Sequence, residues 1–136
     1  MLGEQIVVEQ GKVTGYRVLP SEEGQGPKVE VSFQSAGKIL GIEETDMGTY
    51  WSVLRASGVL FGEGQGVVMT KDGETASWTG QGIGRFTGRG SAVSWRGAIF
   101  FQSTSQKLAR LNGVAAVFEY DVDQNGNTSS NIWEWK

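Results

Sequence analysis

Glycine occupies every second position in two neighbouring stretches of this chain, at 62, 64 and 66 and again at 80, 82 and 84. The residues around these glycines alternate between apolar and polar. A period of two is typical of β-strands, whose successive side chains point to opposite faces of a sheet. The pattern therefore predicts a β-sheet that lacks side chains over part of one face.

The rest of the chain continues this pattern, with turn signals about every ten residues, which indicates an all-β fold. The predicted strands are residues 4–9, 12–19, 28–35, 37–44, 49–56, 59–70, 74–87, 90–103, 114–122 and 127–135. One short helical turn is predicted near 104–112, where Leu108 and Leu111 share a face. We expect a single domain over residues 1–136, built as one antiparallel β-barrel of about eight to ten strands.

Four tight turns set the expected pairing of these strands. Residues 71–73 suit a three-residue loop with glycine in the left-handed conformation, while residues 57–58, 88–89 and 125–126 suit two-residue loops. The resulting cross-strand pairs are Gly62 with Gly82, Gly64 with Gly80, Gly66 with Trp78, Trp51 with Gly64, Gly80 with Gly97, Gly82 with Trp95, Phe118 with Trp133 and Ala116 with Trp135.

This pairing collects the glycines and most aromatic side chains on one face, which we interpret as the barrel interior, with all five tryptophans inside or at the mouths. The glycines then either relieve crowding in a bent sheet or leave room for a ligand, and both explanations stay open. Arg55 and Glu44 are expected to point inward, with Arg55 available to an anionic head group. The candidate ligand-binding residues are Trp51, Arg55, Trp78, Gly82, Trp95 and Tyr120.

Composition excludes several function classes. The chain has no cysteine and no histidine, which removes disulfides, the usual zinc ligands and histidine-dependent nucleophiles. Its net charge of −3 argues against nucleic acid as a partner. No apolar run is long enough to span a bilayer and no signal peptide is evident, so we expect a cytoplasmic protein without a membrane partner. We assign no metal, no cofactor and no catalytic residue.

The stretch GIGRFTGRG, residues 82–90, resembles the glycine-x-glycine-x-phenylalanine segment of dirigent proteins and allene oxide cyclases. The sequence that follows it, from SWRGAIFFQ to the end, is similar to small bacterial proteins assigned to the same type of barrel. The resemblance implies an antiparallel, calycin-like barrel of about eight strands that associates into homo-oligomers. The catalytic positions of those families have no match here, so the resemblance implies no catalytic role for any residue.

Three functions remain open. The chain binds a small hydrophobic or amphipathic ligand in a cavity lined by glycine and tryptophan, or it is an enzyme of cyclase or isomerase type acting on a small apolar substrate. The third possibility is a structural homo-oligomer without a ligand. Apolar residues on the expected outer face favour a homo-oligomer in any of these cases. These residues are Phe61, Val67, Met69, Ile83 and Phe100.

Overall fold

The computed structural model describes residues 1–88 and 90–136, and its strands form one closed antiparallel barrel in which each strand pairs with its neighbours in chain order. The strands are β1 (Leu2–Leu19), β2 (Lys28–Ile39), β3 (Ile42–Leu54), β4 (Leu60–Thr70), β5 (Thr75–Phe86), β6 (Val93–Gln102), β7 (Ala116–Val122) and β8 (Asn127–Trp135). Pairing of β1 with β8 closes the barrel. This confirms the predicted all-β barrel.

Three of the hairpins use the same three-residue loop, with a glycine in the left-handed conformation at its third position. These glycines are Gly58, Gly73 and Gly126, with φ of +83°, +84° and +82°. Each donates its backbone N–H to the carbonyl three residues earlier, at distances of 2.9, 2.9 and 3.1 Å. Residues 71–73 were predicted to form this loop, and the three glycine pairs that follow from it are correct: Gly62 with Gly82, Gly64 with Gly80 and Gly66 with Trp78.

The predictions for residues 57–58 and 125–126 are wrong by one residue, because both loops contain three residues rather than two. In the second loop, the Asp123 carboxylate accepts hydrogen bonds from the backbone N–H groups of Asn125 and Asn127 at 2.8 and 2.9 Å, which stabilises the longer form. The observed partners of Trp51 and Trp133 are Glu63 and Val117.

A slip of one residue moves every side chain of a strand to the opposite face. Trp51, Trp133 and Arg55 therefore lie outside the barrel, and Trp135 is 61% exposed at the end of β8. Trp78 and Trp95 alone among the five tryptophans point inward, so the expectation for all five is wrong.

The pairing of β5 with β6 differs from the prediction by two residues. Gly82 pairs with Gly97 and Gly80 with Ile99, since Phe86 and Val93 end the ladder and leave a longer connection than the predicted two-residue loop. Residue 89 of that predicted loop lies outside the described residues. An even shift leaves each side chain on its predicted face, so Trp95 still points inward.

Ten predicted strands become eight for two reasons. Residues 4–9 and 12–19 are continuous in β1, and the predicted strand at 37–44 contains the tight turn between β2 and β3. That turn places Leu40 at a φ of +49°, which is uncommon for a residue with a side chain. Leu40 packs against the core, so tertiary packing offsets the local cost.

The predicted helical turn is present as a 3₁₀ turn, Ala109–Gly113, between β6 and β7. Leu108 and Leu111 are fully buried at this end of the barrel and belong to the same hydrophobic cluster as Ile6 and Ile39. In the part of the chain that is described, no helix is long and apolar enough to cross a membrane.

The inner glycines make room for the two interior indole rings. A methyl group added at Gly48 would lie 2.7 Å from Trp78 Cζ2, and one at Gly66 would overlap the same ring. Methyl groups at Gly62 and Gly84 would lie 2.8 and 2.9 Å from ring carbons of Trp95. Gly48, Gly62, Gly66 and Gly84 are therefore slots for the rings of Trp78 and Trp95, whereas Gly64, Gly80 and Gly82 line the remaining space of the interior.

Gly66→Ala should lower the free energy of unfolding by about 1–3 kcal/mol, because the new methyl group and the Trp78 ring cannot occupy the same space. Gly15→Ala is the control, since a methyl group at this strand position has no neighbour within 4 Å. Urea denaturation followed by tryptophan fluorescence measures both. Equal stabilities for the two variants would contradict the slot interpretation.

Candidate functional site

A cavity opens inside the barrel above the packed end that holds Leu108 and Leu111. Its volume is about 70 Å³, and it is open to solvent at its mouth. Pockets for drug-sized ligands enclose roughly 300–1,000 Å³, so a bound molecule must be small or must extend into the mouth. The side chains that dominate the wall are Phe33, Tyr50, Trp78, Trp95, Ile99, Phe118, Tyr120 and Ile132.

The aromatic rings of the wall pack against one another around Phe33 and Tyr50. Tyr50 meets Trp95 and Tyr120 edge to face, with ring centroids 5.6 and 5.9 Å apart. Phe33 stacks on Trp78 at 6.2 Å and contacts Tyr120 at 5.3 Å. These spacings are the favourable ones for aromatic pairs, so the wall is preorganised rather than loose.

Four of the six predicted site residues line this cavity: Trp78, Gly82, Trp95 and Tyr120. The other two predictions, Trp51 and Arg55, are corrected by the structure. Trp51 contacts Phe61 on the outer face and lies under the Lys28 ammonium, while the Arg55 guanidinium lies 4.4 Å from the Phe61 ring centroid. Both errors come from the one-residue slip at the loop of residues 56–58.

Three carboxylates meet at the inner end of the cavity: Glu9, Glu44 and Asp46, which are 2%, 4% and 6% exposed. Gly37 pairs with Glu9 on one side and with Glu44 on the other, so no side chain separates the two acids. Asp46 follows Glu44 by two residues and thus points the same way. We call these three residues the acidic floor, and Asp46 is the member that lines the cavity.

The acidic floor holds protons that exposed carboxylates would release. Burial, together with the nearby Asp46 and Glu44, raises the pKa of Glu9 to about 11. Burial also raises the pKa of Glu44 and that of Asp46, and for Asp46 the hydrogen bond from Trp78 offsets part of the change. The Trp78 indole N–H donates to Asp46 Oδ1 at 2.9 Å. Glu9 is therefore a neutral acid at neutral pH.

Two tyrosines complete the polar side of the cavity. Burial raises the pKa of the Tyr50 hydroxyl and that of Tyr120, so both stay protonated. The Tyr120 hydroxyl has no hydrogen-bond partner among the described residues, and neither carboxylate oxygen of Glu44 has one. Buried polar groups without partners are rare in native proteins and mark places where a ligand or a proton completes the bonding.

Sequence reasoning found Glu44 as an inward-facing acid but missed Glu9 and Asp46. Glu9 lies in phase with the buried Val7, which is the available signal for an inward position. Asp46 fell between two predicted strands, because the turn at Leu40 was not recognised.

Within residues 1–88 and 90–136, no group of three or more acidic, histidine or cysteine side chains is arranged to hold a metal ion. The acidic floor therefore offers hydrogen-bonding and proton-holding groups.

No family model matches the chain, and no curated protein matches it. Solved structures do share its fold. A conserved protein of unknown function from Rhodopseudomonas palustris is 13% identical with a TM-score of 0.82, and the match covers 98% of this chain and 97% of that one. A β-barrel-like protein from Acinetobacter baumannii is 12% identical with a TM-score of 0.83, covering 100% and 96%.

A protein from Penicillium herquei described as an enzyme is 15% identical with a TM-score of 0.66, covering 98% of this chain and 97% of that one. At these identities the likeness shows the fold alone. The chain has the same barrel as proteins from distant bacteria and from a fungus, including bacterial proteins of unknown function.

Proposed function

We propose that the barrel binds a small, flat, largely apolar molecule between its aromatic walls, with a polar end of the ligand directed at Asp46 and Tyr120. The observation that carries this proposal is the cavity itself, in which preorganised aromatic walls end at an acidic floor with unpartnered polar atoms. A few convergent polar groups in an apolar pocket are the usual composition of a ligand site.

The tryptophans provide an internal test of this proposal. Adding 2-naphthol, a flat neutral probe, should shift the indole N–H signals of Trp78 and Trp95 in a two-dimensional NMR spectrum, since both rings line the cavity. The signals of Trp51 and Trp133 should not move, because these rings lie on the outer face. Tryptophan-to-phenylalanine variants assign the signals.

Gly80→Leu should remove this response by filling the cavity, since Gly80 lines it and the atoms nearest to an added Cβ are the Ala98 carbonyl oxygen, at 3.3 Å, and Ile99, at 3.7 Å. Thr79→Leu, at the neighbouring outward position, is the matched control and should bind as the unmodified protein does. Shifts at Trp51 instead of Trp78 and Trp95, or undiminished binding by Gly80→Leu, would contradict the proposal.

An enzyme of cyclase or isomerase type is the second candidate, and the acidic floor favours it. Asp46, which lines the cavity, can take a proton from one position of a bound substrate and return it at another, so that the proton count of the substrate is unchanged. Groups with raised pKa values in a cavity are typical of sites that transfer protons. The enzyme from Penicillium herquei shares this fold.

Proton retention by the acidic floor predicts an unusual pH dependence of stability. An unfolded Glu9 titrates near its ordinary pKa of 4.5, whereas the folded one titrates near 11. Between these values the folded chain holds a proton that the unfolded chain has lost, so the free energy of unfolding should fall as pH rises, by up to about 1.4 kcal/mol per pH unit for one proton.

Glu9→Gln should reduce this slope and raise stability at about pH 9, because the amide stays neutral and still donates hydrogen bonds. Denaturant titrations at about pH 5, pH 7 and pH 9 measure the slope. Glu43→Gln, next to Glu44 but exposed, should leave it unchanged. Stability that rises over this range, or equal slopes for the two variants, would contradict a proton held at Glu9.

We also propose that copies of the chain associate through an outer apolar patch on β3, β4 and β6, formed by Met47, Val67, Met69 and Phe100, each about half exposed. Light scattering should give a mass above that of one chain, and Val67→Lys should lower it while Gln10→Lys, at an exposed position of β1 away from the patch, does not. A single-chain mass for the unmodified protein would contradict association.

We also propose a relationship to dirigent proteins and allene oxide cyclases, which rests on residues 82–90. A cytoplasmic location is a further proposal.

A further inference from the structure

The charge pattern of the cavity is one-sided. Its polar inner end carries the carboxylate of Asp46, with Glu9 and Glu44 directly behind it. Among the described residues, no lysine or arginine lines the cavity, and those side chains are exposed or lie at the outer surface. The described ion pairs also join outer side chains. An anionic head group would therefore meet carboxylates and no compensating cation.

Unpartnered atoms add an observation independent of the acidic cluster. The Tyr120 hydroxyl, in a side chain 7% exposed, lines the same cavity and has no hydrogen-bond partner in the described part of the chain. Glu44 is 4% exposed with both carboxylate oxygens unpartnered. The Glu44 oxygens are acceptors without a donor, whereas the Tyr120 hydroxyl can both donate and accept. A hydroxyl or carboxylate buried without partners costs free energy until a partner arrives.

We propose that the ligand of this cavity is a small organic cation, a protonated amine on a flat apolar body, whose N–H groups donate to Asp46 and to the Tyr120 oxygen. This inference rests on the proposed binding function and adds the charge of the ligand. The body of the ligand lies against the rings of Trp95, Tyr50 and Phe118. Aromatic faces attract cations, and the attraction is stronger where water is excluded.

The acidic floor explains why such a ligand would bind to a protein that is stable without it. In the empty cavity, protons shared among Glu9, Glu44 and Asp46 reduce the negative charge, as burial requires. A bound ammonium group supplies the positive charge instead and allows a shared proton to leave. Amine binding should therefore release protons to the solvent.

The titratable groups of the floor and the cavity come from four strands: Glu9 from β1, Glu44, Asp46 and Tyr50 from β3, Glu63 from β4, and Tyr120 from β7. The inward positions beside it on β2, β4, β5, β6 and β8 carry no ionisable side chain, the nearest polar ones being Ser35, Thr70 and Ser130. Because every group is an acid, amine affinity should increase from about pH 6 to about pH 8.

The test compares three one-ring probes of similar shape: benzylamine, benzyl alcohol and phenylacetate. We expect benzylamine to bind about tenfold or more tightly than benzyl alcohol, the difference of a charge-assisted hydrogen bond, and phenylacetate to bind most weakly. Calorimetry in buffers of different ionisation enthalpy should show net proton release with the amine. Equal or tighter binding of the alcohol or phenylacetate would overturn the inference.

Isosteric variants assign the preference to the acidic floor. Asp46→Asn keeps an acceptor for the Trp78 indole N–H but removes the charge, so the amine and the alcohol should bind about equally. Glu44→Gln should also weaken the preference, and it serves as the second variant should Asp46→Asn fail to fold. Glu43→Gln, adjacent but exposed, should keep the full preference. A preference that survives both inner substitutions would overturn the inference.

Binding of 2-naphthol separates the two levels of the proposal. If 2-naphthol shifts the Trp78 and Trp95 signals and benzylamine does not, the binding function stands and the cationic ligand is wrong. If no probe shifts these signals, both fail.

Discussion

The barrel depends on the fit of two indole rings into backbone that carries no side chains. Trp78 lies over Gly48 and Gly66, and the Trp95 ring lies against Gly62 and Gly84. Each ring buries a large apolar area. A methyl group on any of these four glycines would come too close to the ring that lies against it. The glycines therefore do not leave the interior empty, and the cavity is the remainder that the aromatic side chains do not fill.

Much of this arrangement could be predicted from the sequence, because hairpin loops determine which residues face inward. The loop at residues 71–73 was read correctly and gave the glycine pairs of β4 and β5. The equivalent loops ending at Gly58 and Gly126 have the same left-handed glycine but were taken as one residue shorter. That difference put Trp51 and Arg55 on the wrong face in the prediction, since an error of one residue in loop length moves every side chain of the following pairing to the opposite face of the sheet.

The acidic floor could not be predicted in the same way. Its residues come from β1 and β3, brought together across Gly37, so their meeting depends on the register of three strands. The turn that sets part of this register has a leucine at positive φ, a conformation that local sequence preferences disfavour. Leu40 packs against the core, which favours this turn. Such packing exists only in the folded chain and cannot be seen in the local sequence. Sites that work against local preferences and against stability are common where a protein has a function to perform.

The chemistry of the proposed site depends on one property, a proton held by buried carboxylates at the end of an aromatic cavity. Titration of ¹³C-labelled side-chain carboxyl groups by NMR measures it directly, residue by residue. We predict that the Glu9 carboxyl stays protonated through neutral pH and titrates near pH 11. Titration of Glu9 at its ordinary pKa of 4.5 would contradict a proton held at Glu9 in the folded protein.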